Sequence, residues 1–191
     1  LIGFGGEVIS GDINNAADLA RLEAIEFDYM FHQAAISDTT VMDQKLMART
    51  NVNAFKDLLD MCVRKNATMV YASSAGTYGN SPAPNSVGSG EEPENIYGFS
   101  KLMMDNIAYE YMDKYDITIA GLRYFNVYGP REVYKSKTAS MILQLGLQML
   151  DNKNPRLFKY GEQKRDFVYV DDVVQANLKA ATAGVNGVFN V

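Results

Sequence analysis

"ATMVYASSAG", residues 67–76, is an apolar run of strand length that closes on a string of small residues. It reads as a strand, one of several apolar runs of strand length that alternate with longer segments of helical period. The neighbouring segments extend that reading. Upstream, "MDQKLMARTNVNAFKDLLDMCVRK" (42–65) reads as a helix with a mixed apolar stripe, and "FDYMFHQAA" (27–35) as a strand ending in small residues. Downstream, "SPAPNSVGSGEEPEN" (81–95) is a loop rich in turn formers and "YGFSKLMMDNIAYEYMDKY" (97–115) is helical. After these, "ITIAGLRYFNVYG" (117–129) is a strand and "SMILQLGLQMLDN" (140–152) a helix. "DFVYVDDVVQANLKAAT" (166–182) gives a short strand and a helix capped by Asp171 or Asp172. Alternation of strand and helix along the chain predicts an α/β fold with a parallel sheet.

Composition narrows the function classes. A net charge of −5 with no lysine or arginine cluster argues against a nucleic-acid surface, and no apolar run is long enough to span a membrane. With no targeting pattern, the default compartment is the cytoplasm. The single cysteine, Cys62, permits no internal disulfide and reads as a small apolar helix residue. His32, the only histidine, reads as a packed strand residue, and no spacing of His, Cys, Asp or Glu suggests a metal site. The chain opens at Leu1 and closes on "GVFNV", a strand still in progress, so both ends are expected to belong to something longer.

Ligands of open α/β sheets bind beyond the carboxyl ends of the strands, so those ends carry the functional information. Three of them, "HQAAIS", "YASSAGTYG" and "RYFNVYGPRE", place small or hydrogen-bonding residues where a ligand would lie. Just after the second, "NIYGFSK" sets Tyr97 four positions ahead of Lys101 at a helix opening, on one helix face. A phenol has an ordinary pKa near ~10, and a neighbouring ammonium and a helix N-terminus both favour its ionised form. The pair therefore reads as a means to a tyrosinate, with the plainer alternative of a half-buried ring beside a solvated lysine. Phenol, serine hydroxyl and ammonium together suit proton removal from an alcohol while a nicotinamide takes the hydride.

"YASSAGTYG", "NIYGFSK", "GLRYFNVYGPRE" and "KRDFVYVDDV", in this order and spacing, resemble the extended short-chain dehydrogenase/reductase superfamily, nucleotide-sugar branch, and within it the ADP-heptose 6-epimerases. The resemblance runs along essentially the whole chain. It implies a Rossmann-like doubly wound parallel sheet with a small substrate lobe mostly beyond the given chain. Residues 1–130 would form the dinucleotide-binding domain without its N-terminal glycine-rich βαβ unit, 131–165 part of the substrate lobe, and 166–191 the return to the first domain. It also implies a bound NADP, with NAD as the alternative, and epimerisation of an ADP-heptose at C6 by transient oxidation and reduction for lipopolysaccharide core synthesis. The enzyme would be a cytoplasmic homo-oligomer. By resemblance, Tyr97 and Lys135 are the acid/base groups on the two faces of the sugar carbon. Ser74 would bond the reacting oxygen, and Lys101 would hold the nicotinamide ribose. Asp12, Ile13, Gln33, Ala34, Ala35, Ser37, Asn51 and Val127 match cofactor positions, and Asn126, Gln144, Phe158 and Arg165 match substrate positions. Arg165 suits a diphosphate because a guanidinium pairs two oxygens at once; otherwise it reads as a surface partner of Asp166.

The chain departs from the family pattern in places. The G-x-x-G-x-x-G turn after the first strand is absent, and "GFGGEVISG" does not replace it. "KSKTAS" carries lysine where a small hydroxyl residue is expected, and "LFKYGEQKRD" is one residue short. Two other readings stand beside the heptose one. A UDP-hexose 4-epimerase would share Ser74, Tyr97 and Lys101 but needs no second base, and a non-catalytic nicotinamide-binding sensor needs none of them. A 4,6-dehydratase is disfavoured by Ala75 and Gly76, which stand where that chemistry uses an acidic pair.

Overall fold

The computed structural model describes residues 5–157 and 159–191, so Phe158 lies outside the described residues. In chain order the elements are α1 (Ala16–Glu23), β1 (Tyr29–His32), α2 (Gln44–Met47), α3 (Ala54–Lys65), β2 (Thr68–Ser74), α4 (Ile96–Lys114), β3 (Ile119–Tyr124), β4 (Asn126–Tyr128), α5 (Met141–Leu150), β5 (Phe167–Tyr169), α6 (Val170–Ala183) and β6 (Gly187–Asn190). A sheet of order β1-β2-β3-β6 is parallel throughout.

Alternation of side chains along β2 and β3 explains why helices cover both faces. Met69, Tyr71 and Ile119 pack with Phe55, Leu58, Leu59 and Cys62 of α3 and with Met104, Ala108 and Tyr111 of α4. Val70, Ala120 and Leu122 face the other way, onto Ala180 and Ala181 of α6. The sheet is therefore doubly wound, as expected. Each large core side chain removed from water contributes roughly 1.5–3 kcal/mol, and Phe55, Leu59, Met69 and Met104 are wholly buried.

The helix expected over 42–65 runs unbroken from Gln44 to Lys65 but is not uniform. Between α2 and α3 the chain takes one π-helical stretch, Ala48–Asn53, which turns Asn51 fully inward. Asn66, in the left-handed region, ends α3. The periodicity did not anticipate α1, which buries no residue completely; Asn15 caps it by accepting from the amides of Ala17 and Asp18.

Two expectations need correction. The strand expected over 117–129 splits at Phe125, whose amide donates to the Val191 carbonyl; from Asn126 the chain pairs instead with β5, forming a separate two-stranded sheet. Neither Asp171 nor Asp172 caps α6. Tyr169 is the N-cap without a side-chain bond, and the two aspartates sit in the first turn, where their charge meets the positive end of the helix dipole.

His32 is buried at the end of β1 and stacks on Phe55, with ring centroids 5.8 Å apart. Burial, aided by the Lys101 charge, lowers its pKa from 6.5 to about 4. The native imidazole thus stays neutral across a range in which the unfolded chain binds a proton, so stability falls as pH drops from 6.5 towards 4. In His32→Phe that part of the acid sensitivity should disappear, which urea midpoints at neutral and mildly acid pH will read; an identical slope in both proteins would contradict it. Cys62 is also buried, and burial pushes its thiol up to about 12, in keeping with a packing role. No helix among the described residues is long and apolar enough to cross a membrane.

Candidate functional site

The site is built where β2 ends and α4 begins. Asn95 caps α4, its side chain accepting from the Gly98 amide at 2.8 Å, which starts the helix in time to put Tyr97 in its first turn. Ser74 closes β2 and caps a short 3-10 turn, Ala75–Tyr78, by accepting from the Gly76 amide at 3.0 Å. The two segments touch backbone to backbone. A Cβ on Gly98 would collide with the Gly76 carbonyl and lie 3.2 Å from Pro93. Gly98→Ala should therefore destabilise the fold by about 1–3 kcal/mol through overpacking, instead of gaining the roughly 1 kcal/mol of helix propensity that alanine holds over glycine. Urea unfolding measures this, and a neutral or stabilising result would contradict the close approach.

Lys101 lies one turn beyond Tyr97 and is 2% exposed; its Nζ donates to the Ala72 carbonyl at 2.7 Å and sits 5.8 Å from the Tyr97 ring centroid. Burial lowers the Lys101 pKa to about 8, with Asp105 acting against that shift. Burial also raises Tyr97 above the ordinary phenol range, and the Ser74 hydroxyl opposes it. Desolvation of the phenol thus works against the ionised form that the Tyr97–Lys101 spacing favours, and one donor of the ammonium is given to Ala72.

A cavity of about 530 Å³ gathers most of the candidates. Gln33, Ala35, Ser37, Ser74, Asn126 and Val127 line it from the three strand ends singled out in the sequence, joined by Tyr97 and Lys101 of α4 and by Lys135. Gln33 is held by Tyr124, which donates to its Oε1, and by Asn177 on α6, which accepts from its Nε2, each at 3.1 Å. Lys135 stands in a 3-10 segment, Glu132–Thr138, whose entrance is fixed by Glu132 accepting from the amides of Gly129 and Ser140. It is exposed at the cavity rim.

Other candidates fall elsewhere. Asn51 is fully buried: its amide nitrogen donates to the Ile36 carbonyl and Ser100 Oγ, and its oxygen accepts from the Ile36 amide. It braces the 33–37 segment against α4 and does not line the cavity, because the π-helical stretch turns it inward. Ala34 is exposed just outside the lining. Asp12 is exposed in a turn closed on Asn14, with Ile13 beside it, both away from the cavity. Gln144 lies one turn into α5, its amide donating to the Ala139 carbonyl. Arg165 is exposed and makes no ion pair with Asp166 among the described residues.

Sequence reasoning passed over Thr138, Ser140 and Met141 of the cavity wall and a buried Asp105–Arg123 pair. The pair did leave a signal: Tyr97, Lys101 and Asp105 recur at helical spacing, and Arg123 is a lone charge in an apolar strand. Among the described residues no three His, Cys, Asp or Glu side chains come together as a metal site.

The pattern of the NAD dependent epimerase/dehydratase family matches residues 3–191. The chain belongs to that family. Among solved structures of the epimerase/dehydratase type, it is similar to Helicobacter pylori ADP-L-glycero-D-manno-heptose-6-epimerase, with 58% identity and a TM-score of 0.94 over 100% of this chain and 61% of that one. It is also similar to a UDP-N-acetylglucosamine 4-epimerase from Methanobrevibacter ruminantium, with 30% identity, a TM-score of 0.87, and 96% of this chain and 60% of the other covered. A UDP-glucose 4-epimerase from Thermotoga maritima gives 30% identity and a TM-score of 0.87 over 95% and 60%. The chain thus spans about three fifths of the length of the proteins it matches.

The residues present fit the nicotinamide-ribose half of such a cofactor. Lys101 has ammonium donors beyond the one given to Ala72, the Tyr97 hydroxyl lies nearby, and Ala35 and Ala72 leave room in the wall.

Proposed function

We propose that the protein is an ADP-heptose 6-epimerase that interconverts the D-glycero and L-glycero forms by transient oxidation at C6, using NADP or, alternatively, NAD. The observation that carries this reading is the meeting of Ser74, Tyr97, Lys101 and Lys135 on one cavity. The similarity at 58% identity to a heptose 6-epimerase supports the choice of sugar.

When bound, a nicotinamide supplies hydride acceptance and return at C6. The protein's own groups handle the protons. Ser74 Oγ donates a hydrogen bond to the reacting oxygen. Tyr97 exchanges the C6 hydroxyl proton on one face of the sugar carbon: as phenolate it takes the proton while the alcohol becomes a carbonyl, and as phenol it returns one when the carbonyl is reduced. Lys135 performs the same exchange on the opposite face, which inversion requires. Lys101 orients the ribose and adds positive charge beside Tyr97, favouring the phenolate that burial alone disfavours. Residues 1–130 and 166–191 form the cofactor domain in this reading, and 131–165 contribute to the substrate side, with Asn126, Gln144 and Arg165 towards the nucleotide sugar. The enzyme works in the cytoplasm as a homo-oligomer and provides activated heptose for the lipopolysaccharide core.

Proton NMR of ADP-D-glycero-D-manno-heptose incubated with the full-length protein tests the proposal. Appearance of the L-glycero epimer without net reduced cofactor is expected. No conversion by protein that still binds nicotinamide would overturn it and direct attention to UDP-hexoses.

A further inference from the structure

Beneath Lys101 a second set of polar groups runs into the interior. Asp105, one turn further along α4, is wholly buried. Its Oδ1 accepts from the Tyr71 hydroxyl at 2.8 Å, and its Oδ2 accepts from Ser73 Oγ at 3.0 Å and from Arg123 at 2.8 and 2.9 Å. Arg123, also buried, reaches on to Glu91 in the 81–95 loop at 2.5 Å and lies 4.9 Å over the Tyr78 ring. Gly121 makes room for the arrangement, because any Cβ there would overlap the Tyr71 ring.

A buried ion pair is weak evidence for stability, since apolar residues of the same shape often serve as well or better. Its placement points to another purpose. Tyr71 and Ser73, which hold Asp105, alternate along β2 with Ala72 and Ser74, which meet Lys101 and Tyr97. The strand end that builds the site is thus fastened from its other side to the helix that carries the catalytic pair.

We infer that Asp105 is a positioning residue for the site: it clamps the Lys101 turn of α4 to the Ala72–Ser74 end of β2 and supplies the counter-charge beneath Lys101, while Arg123 extends the clamp to Glu91 in the loop. This rests on the reading of Tyr97 and Lys101 as the working pair. The charged and titratable groups around Lys101 are Tyr97 and Asp105 on α4, neutral His32 on β1, Arg123 behind Asp105 on β3, and Lys135 on the same cavity, with the Ala72 carbonyl of β2 accepting from its ammonium. Of these, Asp105 opposes the effect of burial on the ammonium.

The test is an NMR titration of the full-length protein labelled with ε-¹³C-lysine, the Lys101 signal being assigned by its loss in Lys101→Arg. In Asp105→Asn the Lys101 midpoint should fall by about one unit or more, whereas Asp105→Glu should keep it near the wild-type value. Asp105→Asn strands the Arg123 guanidinium, so Asp105→Asn/Arg123→Met serves beside it; that variant also removes the positive charge behind Asp105, so its Lys101 midpoint should fall by less. An unchanged midpoint in folded Asp105→Asn, or no fall at all in the double variant, overturns the inference, as does failure of the double variant to fold, which would make the cluster structural only. A shifted midpoint in a protein that turns over no heptose would uphold the inference and sink the substrate assignment.

Discussion

Tyr97→Phe should lower epimerisation by about 10²–10⁴-fold, the usual contribution of a positioned acid/base group, while the protein stays folded and keeps its nicotinamide. The ring is what packs into the first turn of α4, and phenylalanine preserves it. What is lost is the hydroxyl opposite Ser74, the one group on that face able to pass a proton to or from the sugar oxygen in this account. Lys101 remains on Ala72, so ribose binding should change little. Steady-state rates with either epimer, together with cofactor retention on gel filtration, measure both parts. A variant within tenfold of wild type would remove Tyr97 from the chemistry.

Lys135→Ala should cost a comparable factor, about 10²–10⁴-fold, with a different signature. Lys135 is exposed at the cavity rim on a segment anchored by Glu132, so its removal should leave stability almost unchanged. Tyr97 still serves its own face, so one epimer should continue to be oxidised and to reduce bound cofactor transiently, visible as near-ultraviolet absorbance, without inversion. A 4-epimerase has no need of a second base at this position, and there the substitution would be close to silent. The two variants together thus separate the heptose reading from its nearest competitor.

The fold was legible because β2 is covered on both faces. Apolar runs of strand length alternating with helical segments predict a parallel α/β sheet; the doubly wound arrangement came from the family resemblance, and the structure bears it out with Met69 and Val70 pointing oppositely. The break at Phe125 was not legible, because β3 and β4 form one uninterrupted run of strand-like residues; only the competing ladders to Val191 and Asp166 divide it. Within the site, the Tyr97–Lys101 pair stood out by its spacing and Ser74 by its place at a strand end, while Lys135 came only from the family resemblance. The inward turn of Asn51 was not legible, because a π-helical stretch rotates it by an amount that α-helical periodicity does not foresee. Spacing shows an ammonium one turn from Tyr97 but not the desolvation of the phenol or the carbonyl that takes one of the ammonium's donors.

The central claim is that C6 is inverted by losing and regaining its own hydride, with Tyr97 and Lys135 handling the oxygen's proton on opposite faces. The most direct measurement is conversion of ADP-heptose carrying deuterium at C6 in ordinary water by the full-length protein. The account predicts that the L-glycero product keeps the deuterium at C6. Replacement of that deuterium by solvent hydrogen would mean that the carbon is deprotonated and reprotonated, which would contradict transient oxidation and the assigned roles of both bases.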